Sequence, residues 1–135
     1  MPQPSDTTLR QLEDAARAAS HAAYAPYSKF RVGAAVRATS GKIYAGCNVE
    51  NASYGLCNCA ERTAIFTAIA SGERSLDAVA VFTPTQTPTA PCGACRQVIN
   101  EFGPDAFVIS FCESADRIEA AMTVLLPRAF GPANL

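Results

Sequence analysis

The chain has 135 residues, 49% of them hydrophobic and 17% charged, which is enough apolar material for one packed domain over 1–135 and argues against disorder. Eleven Lys and Arg stand against 12 Asp and Glu, a formal net charge of −1, and the basic residues are scattered singly, which excludes the electrostatic grip that a nucleic-acid polymer needs. No basic-then-apolar leader opens the chain, and no apolar run nears the ~20 residues that span a bilayer, so no membrane partner is expected.

The expected location is the cytoplasm, where the six cysteines stay reduced and serve metal binding or catalysis rather than a disulfide frame.

From Asp6 to Ala23, Leu9, Leu12, Ala16 and Ala19 recur at the steps of an amphipathic helix, with Ser5 or Asp6 to cap it and Pro26 to stop it. Phe30–Thr39 and Lys42–Asn48 read as strands of a hairpin around Ser40-Gly41. Glu50–Asn58 is polar and reads as a loop. A helix follows over Cys59–Ser71, ended by Gly72, and then Ala78–Phe82, a continuous apolar run of the kind found in strands covered on both faces. Thr83–Pro91 is a Pro/Thr loop, Gly93–Phe102 a second such helix, and Ala106–Phe111 another buried strand. Arg117–Met122 is helical by propensity, although a strand there would add a fifth member to the sheet, and Val124–Phe130 reads as a short helical turn interrupted by Pro127. Strands alternating with helices predict a layered α/β domain with the hairpin at one edge.

The chemistry sits in two cysteine clusters, Cys57-Asn58-Cys59-Ala60-Glu61 and Pro91-Cys92-Gly93-Ala94-Cys95, each placed where a loop enters a helix. Unpaired N–H groups at a helix start favour thiolate over thiol, and thiolate is the zinc ligand. Three arrangements can use these residues. Cys57, Cys59, Cys92 and Cys95 could close a structural zinc site, although Cys57 and Cys59 stand closer together than paired ligands usually do. CGAC at a strand-to-helix junction could be a dithiol redox site, which leaves Cys59 and Glu61 without a role. A catalytic zinc on Cys59, Cys92 and Cys95, with an open fourth position and Glu61 beside it, accounts for all of them and matches the ligand-x-Glu and Pro-Cys-x-x-Cys pattern of zinc deaminases. Glu61 also fits a capping-box spacing from Asn58.

Beyond these clusters the chain resembles the small three-cysteine cytidine deaminases from about Tyr24 to Leu135. The resemblance rests on Tyr27–Ala34, Gly46–Ala52, Cys59–Ala64, Pro91–Gln97 and Leu125–Pro132. It implies an α/β sandwich with a mixed five-stranded sheet flanked by helices, one zinc ion per subunit, and a homotetramer whose active sites neighbouring subunits complete. It implies zinc-dependent deamination of the small-molecule nucleosides cytidine and 2′-deoxycytidine to the uridines, a pyrimidine-salvage reaction in which hydroxide on zinc attacks C4 and Glu61 shuttles protons. In the same pattern Phe30 packs against the pyrimidine, Asn48 and Glu50 bind the ribose hydroxyls, Ala60 offers its N–H to the base carbonyl, Phe130 closes over a neighbour's site, and Arg62 hydrogen-bonds the thiolates. Tyr54 is a further candidate for reaching a neighbour's ligand. Cys57 is expected to be free, Cys47 and Cys112 to be buried thiols, and His21 to lie outside the site. A modified cytosine nucleoside is the alternative substrate.

Overall fold

This computed structural model describes residues 3–135. Helix α1 (Asp6–Ser20) starts on Ser5, whose hydroxyl accepts the Thr8 N–H, and buries Leu9, Leu12 and Ala16. It ends earlier than its apolar stripe suggests. The N–H groups of His21, Ala22 and Ala23 bond carbonyls three residues back, so the chain tightens out of α geometry before Pro26 is reached.

Strands β1 (Gly33–Ala38) and β2 (Ile43–Cys47) form the expected hairpin, and both are shorter than predicted. The reason is the Asn48 side chain. Its Oδ1 accepts the Val32 N–H at 2.9 Å and its Nδ2 donates to the Phe30 carbonyl at 2.8 Å, occupying backbone groups that a longer ladder would use. After a single 3₁₀ turn at Tyr54–Leu56 come α2 (Ala60–Ala70), β3 (Leu76–Phe82), α3 (Gly93–Phe102) and β4 (Phe107–Phe111).

The ambiguous tail resolves into a strand, β5 (Arg117–Ala121), followed by α4 (Met122–Leu125) and a last 3₁₀ turn at Pro132–Asn134. Helical propensity loses at 117–121 because β4 offers an open edge, and β5 pairs along it antiparallel from Phe107–Ala121 to Phe111–Arg117. The turn foreseen at 124–130 lies instead at 122–125, ahead of Pro127.

The sheet order is β2-β1-β3-β4-β5, with β3 and β4 parallel and the other neighbours antiparallel. It is therefore mixed, five-stranded and flanked by helices on both faces. On one face Leu12 and Ala16 of α1 meet Ala35, Ala80, Phe82 and Ile109. On the other, Ala64, Ile65 and Ile99 of α2 and α3 meet Val36, Val79 and Val108. Two glycines set the depth of this packing. A Cβ on Gly33 would lie 1.8 Å from the Ala16 carbonyl oxygen of α1, and one on Gly46 would lie 2.4 Å from the Ala64 nitrogen of α2. Both helices thus approach the hairpin backbone directly, which fixes where the start of α2 stands.

Candidate active site

Cys59 is the N-cap residue of α2 and Cys92 that of α3, with Cys95 in the first turn of α3. Because both helices start at the same end of the sheet, the Sγ atoms of Cys59, Cys92 and Cys95 converge to within 4.8 Å of one another. Cys92 Sγ also accepts the Cys95 N–H at 3.5 Å, closing the Pro-Cys-x-x-Cys turn on itself. Cys57 stays out of this group: its sulfur accepts the Asn51 N–H at 3.3 Å and donates to the Asn51 carbonyl at 3.6 Å. All six cysteines are free thiols.

The thiols do not share protons equally. A hydrogen bond from Cys95, and after it the Arg62 guanidinium, hold Cys59 well below the usual thiol range, to about 5, although its burial opposes this. That same hydrogen bond, with burial, pushes Cys95 up. Arg62 Nη2 donates to Cys59 Sγ at 3.2 Å, while its buried Nε has no hydrogen-bond partner among the described residues.

A cavity of about 330 Å³ opens beside the thiols. Cys59 and Cys92 line it, as do Phe30, Asn48, Glu50, Ala60 and Glu61. Seven residues that are scattered between positions 30 and 92 are thereby brought to one cavity. Glu61 is 5% exposed, and that burial raises its carboxyl above the ordinary carboxylate range, with the neighbouring Cys59 charge adding to the rise. The capping box does not form. The N-cap is Cys59 rather than Asn58, and Asn58 Nδ2 instead donates to Thr63 Oγ1 at 3.0 Å, while Glu61 lines the cavity.

Other expected residues fall elsewhere. Phe130 does not line the cavity of its own chain: it is exposed, and its carbonyl accepts from Gln97 Nε2 at 2.5 Å. His21 is exposed and outside the thiol cluster, and Cys112 is buried just past the end of β4, whereas Cys47 is only half-buried. Sequence reasoning missed Thr83, Thr89 and Ala90, which also line the cavity from within the Pro/Thr loop. Nothing in their spacing distinguishes them from ordinary loop residues. It also missed Ser28, discussed below, although Ser28 lies inside one of the matched blocks.

Residues 6–111 match the family model described as the cytidine and deoxycytidylate deaminase zinc-binding region. The chain belongs to this family. It is 50% identical over 114 residues, 84% of each chain, to the cytidine deaminase of Sporosarcina psychrophila. Among solved structures it is similar to cytidine deaminase from Burkholderia pseudomallei, with a TM-score of 0.86 at 53% identity over 90% of this chain and 98% of that one. The Mycobacterium tuberculosis cytidine deaminase gives a TM-score of 0.78 at 35% identity over 95% and 99% of the two chains.

The family's zinc fits the residues present. Three sulfur donors already converge, a soft set suited to that ion, and three protein ligands leave one tetrahedral position free. Three thiolates against a divalent cation leave one excess negative charge, and Arg62 stands at 3.2 Å to offset it. The redox alternative loses its footing, because Cys92 and Cys95 share their cluster with Cys59 and with a buried carboxylate that dithiol exchange does not use.

Proposed function

We propose that this enzyme hydrolyses cytidine and 2′-deoxycytidine to the uridines with release of ammonia, as a cytoplasmic step of pyrimidine salvage. The observation that carries this reading is one cavity holding a buried carboxylate, a three-thiol metal cluster and an aromatic wall. Cys59, Cys92 and Cys95 would hold the zinc, which would supply the Lewis acidity that makes a water nucleophilic near neutral pH.

The chain's own residues do the rest. Phe30 gives the pyrimidine a face to lie against. Ala60 opens α2, so its N–H has no partner within the helix and is available to the base carbonyl. Asn48 and Glu50 receive the ribose hydroxyls. Glu61 accepts a proton from the attacking water and passes it to ring N3. It takes the second proton to the C4 amine, whose bond to carbon then breaks and releases ammonia. One carboxyl serves both transfers, which suits a proton affinity raised by burial.

We further infer a homotetramer. Tyr54 and Phe130 are 74% and 63% exposed, large apolar side chains that an isolated subunit leaves in water. Phe130 then covers a neighbour's cavity, which a chain of 135 residues hardly closes alone.

The test is loss of the cytosine ultraviolet band on adding purified protein to cytidine, before and after zinc is stripped. Zinc-dependent conversion to uridine is expected. No conversion by zinc-loaded, folded protein would move the reading to a modified cytosine nucleoside.

A further inference from the structure

Glu50 lies on an exposed stretch, yet three hydrogen bonds hold its carboxylate from one side. Oε1 accepts two backbone N–H groups, from Tyr27 at 3.0 Å and from Ser28 at 3.1 Å. Oε2 accepts the Ser28 hydroxyl. The same Ser28 oxygen accepts the Phe30 N–H at 3.0 Å, so one hydroxyl joins the residue at the sugar end of the cavity to the residue that forms its aromatic wall. Lys29, between them, sits at φ 60°, a left-handed conformation that costs energy for a residue with a Cβ and that the Ser28 bonds hold in place.

The two ends of this arrangement are not equivalent. Phe30 has a second anchor, since its carbonyl accepts from Asn48 Nδ2 at 2.8 Å. Among the described residues, Glu50 Oε2 accepts only from Ser28. Without that hydroxyl the carboxylate is pinned at one oxygen and can swing about it. Asn48 does not take this place: its amide is turned to backbone at Phe30 and Val32, which leaves its second N–H and second lone pair for the sugar rather than for Glu50.

We propose that Ser28 is a positioning residue for sugar recognition, holding Glu50 in the orientation that meets the 2′- and 3′-hydroxyl groups of the nucleoside. The inference rests on the reading of Glu50 as the ribose-binding carboxylate. Ser28 is exposed and belongs to neither core cluster, so loss of its hydroxyl acts on the 28–30 turn and not on the core.

The experiment compares zinc-loaded wild type, Ser28→Ala, Ser28→Thr, Glu50→Ala and the Ser28→Ala/Glu50→Ala double variant on cytidine and on 2′,3′-dideoxycytidine. Ser28→Ala is expected to lower kcat/KM on cytidine by about tenfold, mainly through KM, the scale of one charge-assisted hydrogen bond. On the dideoxynucleoside, which lacks both hydroxyls, the loss is expected to be small, and Ser28→Thr is expected to restore most of the cytidine value. The double variant should be no worse than Glu50→Ala alone. Equal losses on the two substrates, or a Ser28→Ala loss that adds to that of Glu50→Ala, would overturn the inference and leave Glu50's role standing. If Glu50→Ala itself treats the two substrates alike, the underlying reading of Glu50 fails, and the role of Ser28 fails with it.

Discussion

A carboxylate that must take a proton and then give it back works best when its own proton affinity lies near the working pH. Burial moves Glu61 in that direction, upward from 4.5. Only the ionised form can accept a proton, so kcat/KM is expected to fall on acidification through the raised value, at a pH above the ordinary carboxylate range. Glu61→Gln is expected to lose about 10²–10⁴-fold in turnover while keeping its zinc, measured by metal analysis on the same sample. The shift also affects stability. The unfolded chain releases this proton near 4.5 and the folded chain later, so the contribution to folding is full below 4.5 and is lost as pH rises through the raised value. In zinc-free protein, Glu61→Gln should remove that decline, and urea unfolding at acid and neutral pH checks it. Among the thiols the expectation is asymmetric: Cys57→Ser retains zinc, because Cys57 is engaged with Asn51, whereas Cys95→Ser loses it. Zinc lost from Cys57→Ser would bring back a four-thiolate site.

The elements carry these residues only because two helices lie unusually close to the hairpin. Gly33→Ala and Gly46→Ala would each drive a methyl group into backbone that no rotamer change can move aside. Each is expected to cost about 1–3 kcal/mol or more, read as a fall in the urea midpoint at constant slope. Their effects on the site should differ. Gly46 faces Ala64, one turn beyond Glu61 in α2, so Gly46→Ala should also weaken zinc retention and turnover. Gly33 faces α1, which contributes nothing to the cavity, so Gly33→Ala should lose stability with zinc content unchanged. The elements that the sequence discloses are those with a local signature: the stripe of α1, the AVAVF run of β3, and the helix starts marked by Cys59 and Cys92. β5 hides because its residues favour a helix and its strand form depends on the β4 edge, a partner that follows from topology and not from spacing. The strand ends at 30–32 hide for a related reason, since a side chain sixteen to eighteen positions away takes over their hydrogen bonds.

At the scale of the whole molecule, the cavity contains the metal cluster, the carboxylate and one aromatic wall, but not the second aromatic that the matched blocks lead one to expect. Phe130 is legible in the sequence as a site residue and illegible as to whose site, because no pattern within one chain records which copy a side chain reaches. If it serves a neighbour, two damaged subunits can repair each other. Glu61→Gln keeps its Phe130 but cannot move protons. Phe130→Ala keeps Glu61 but leaves its neighbour's cavity uncovered. In a mixed oligomer, a Phe130→Ala subunit covered by the Phe130 of a Glu61→Gln neighbour has a complete site. Dissociating and reassociating the two variants in equal amounts is therefore expected to restore about a quarter of wild-type activity, the share of randomly paired sites with both parts intact. Activity no higher than the sum of the unmixed variants would place Phe130 outside the neighbour's chemistry. Such an outcome would return it to the role of an ordinary surface aromatic, even if the protein still sediments as a tetramer.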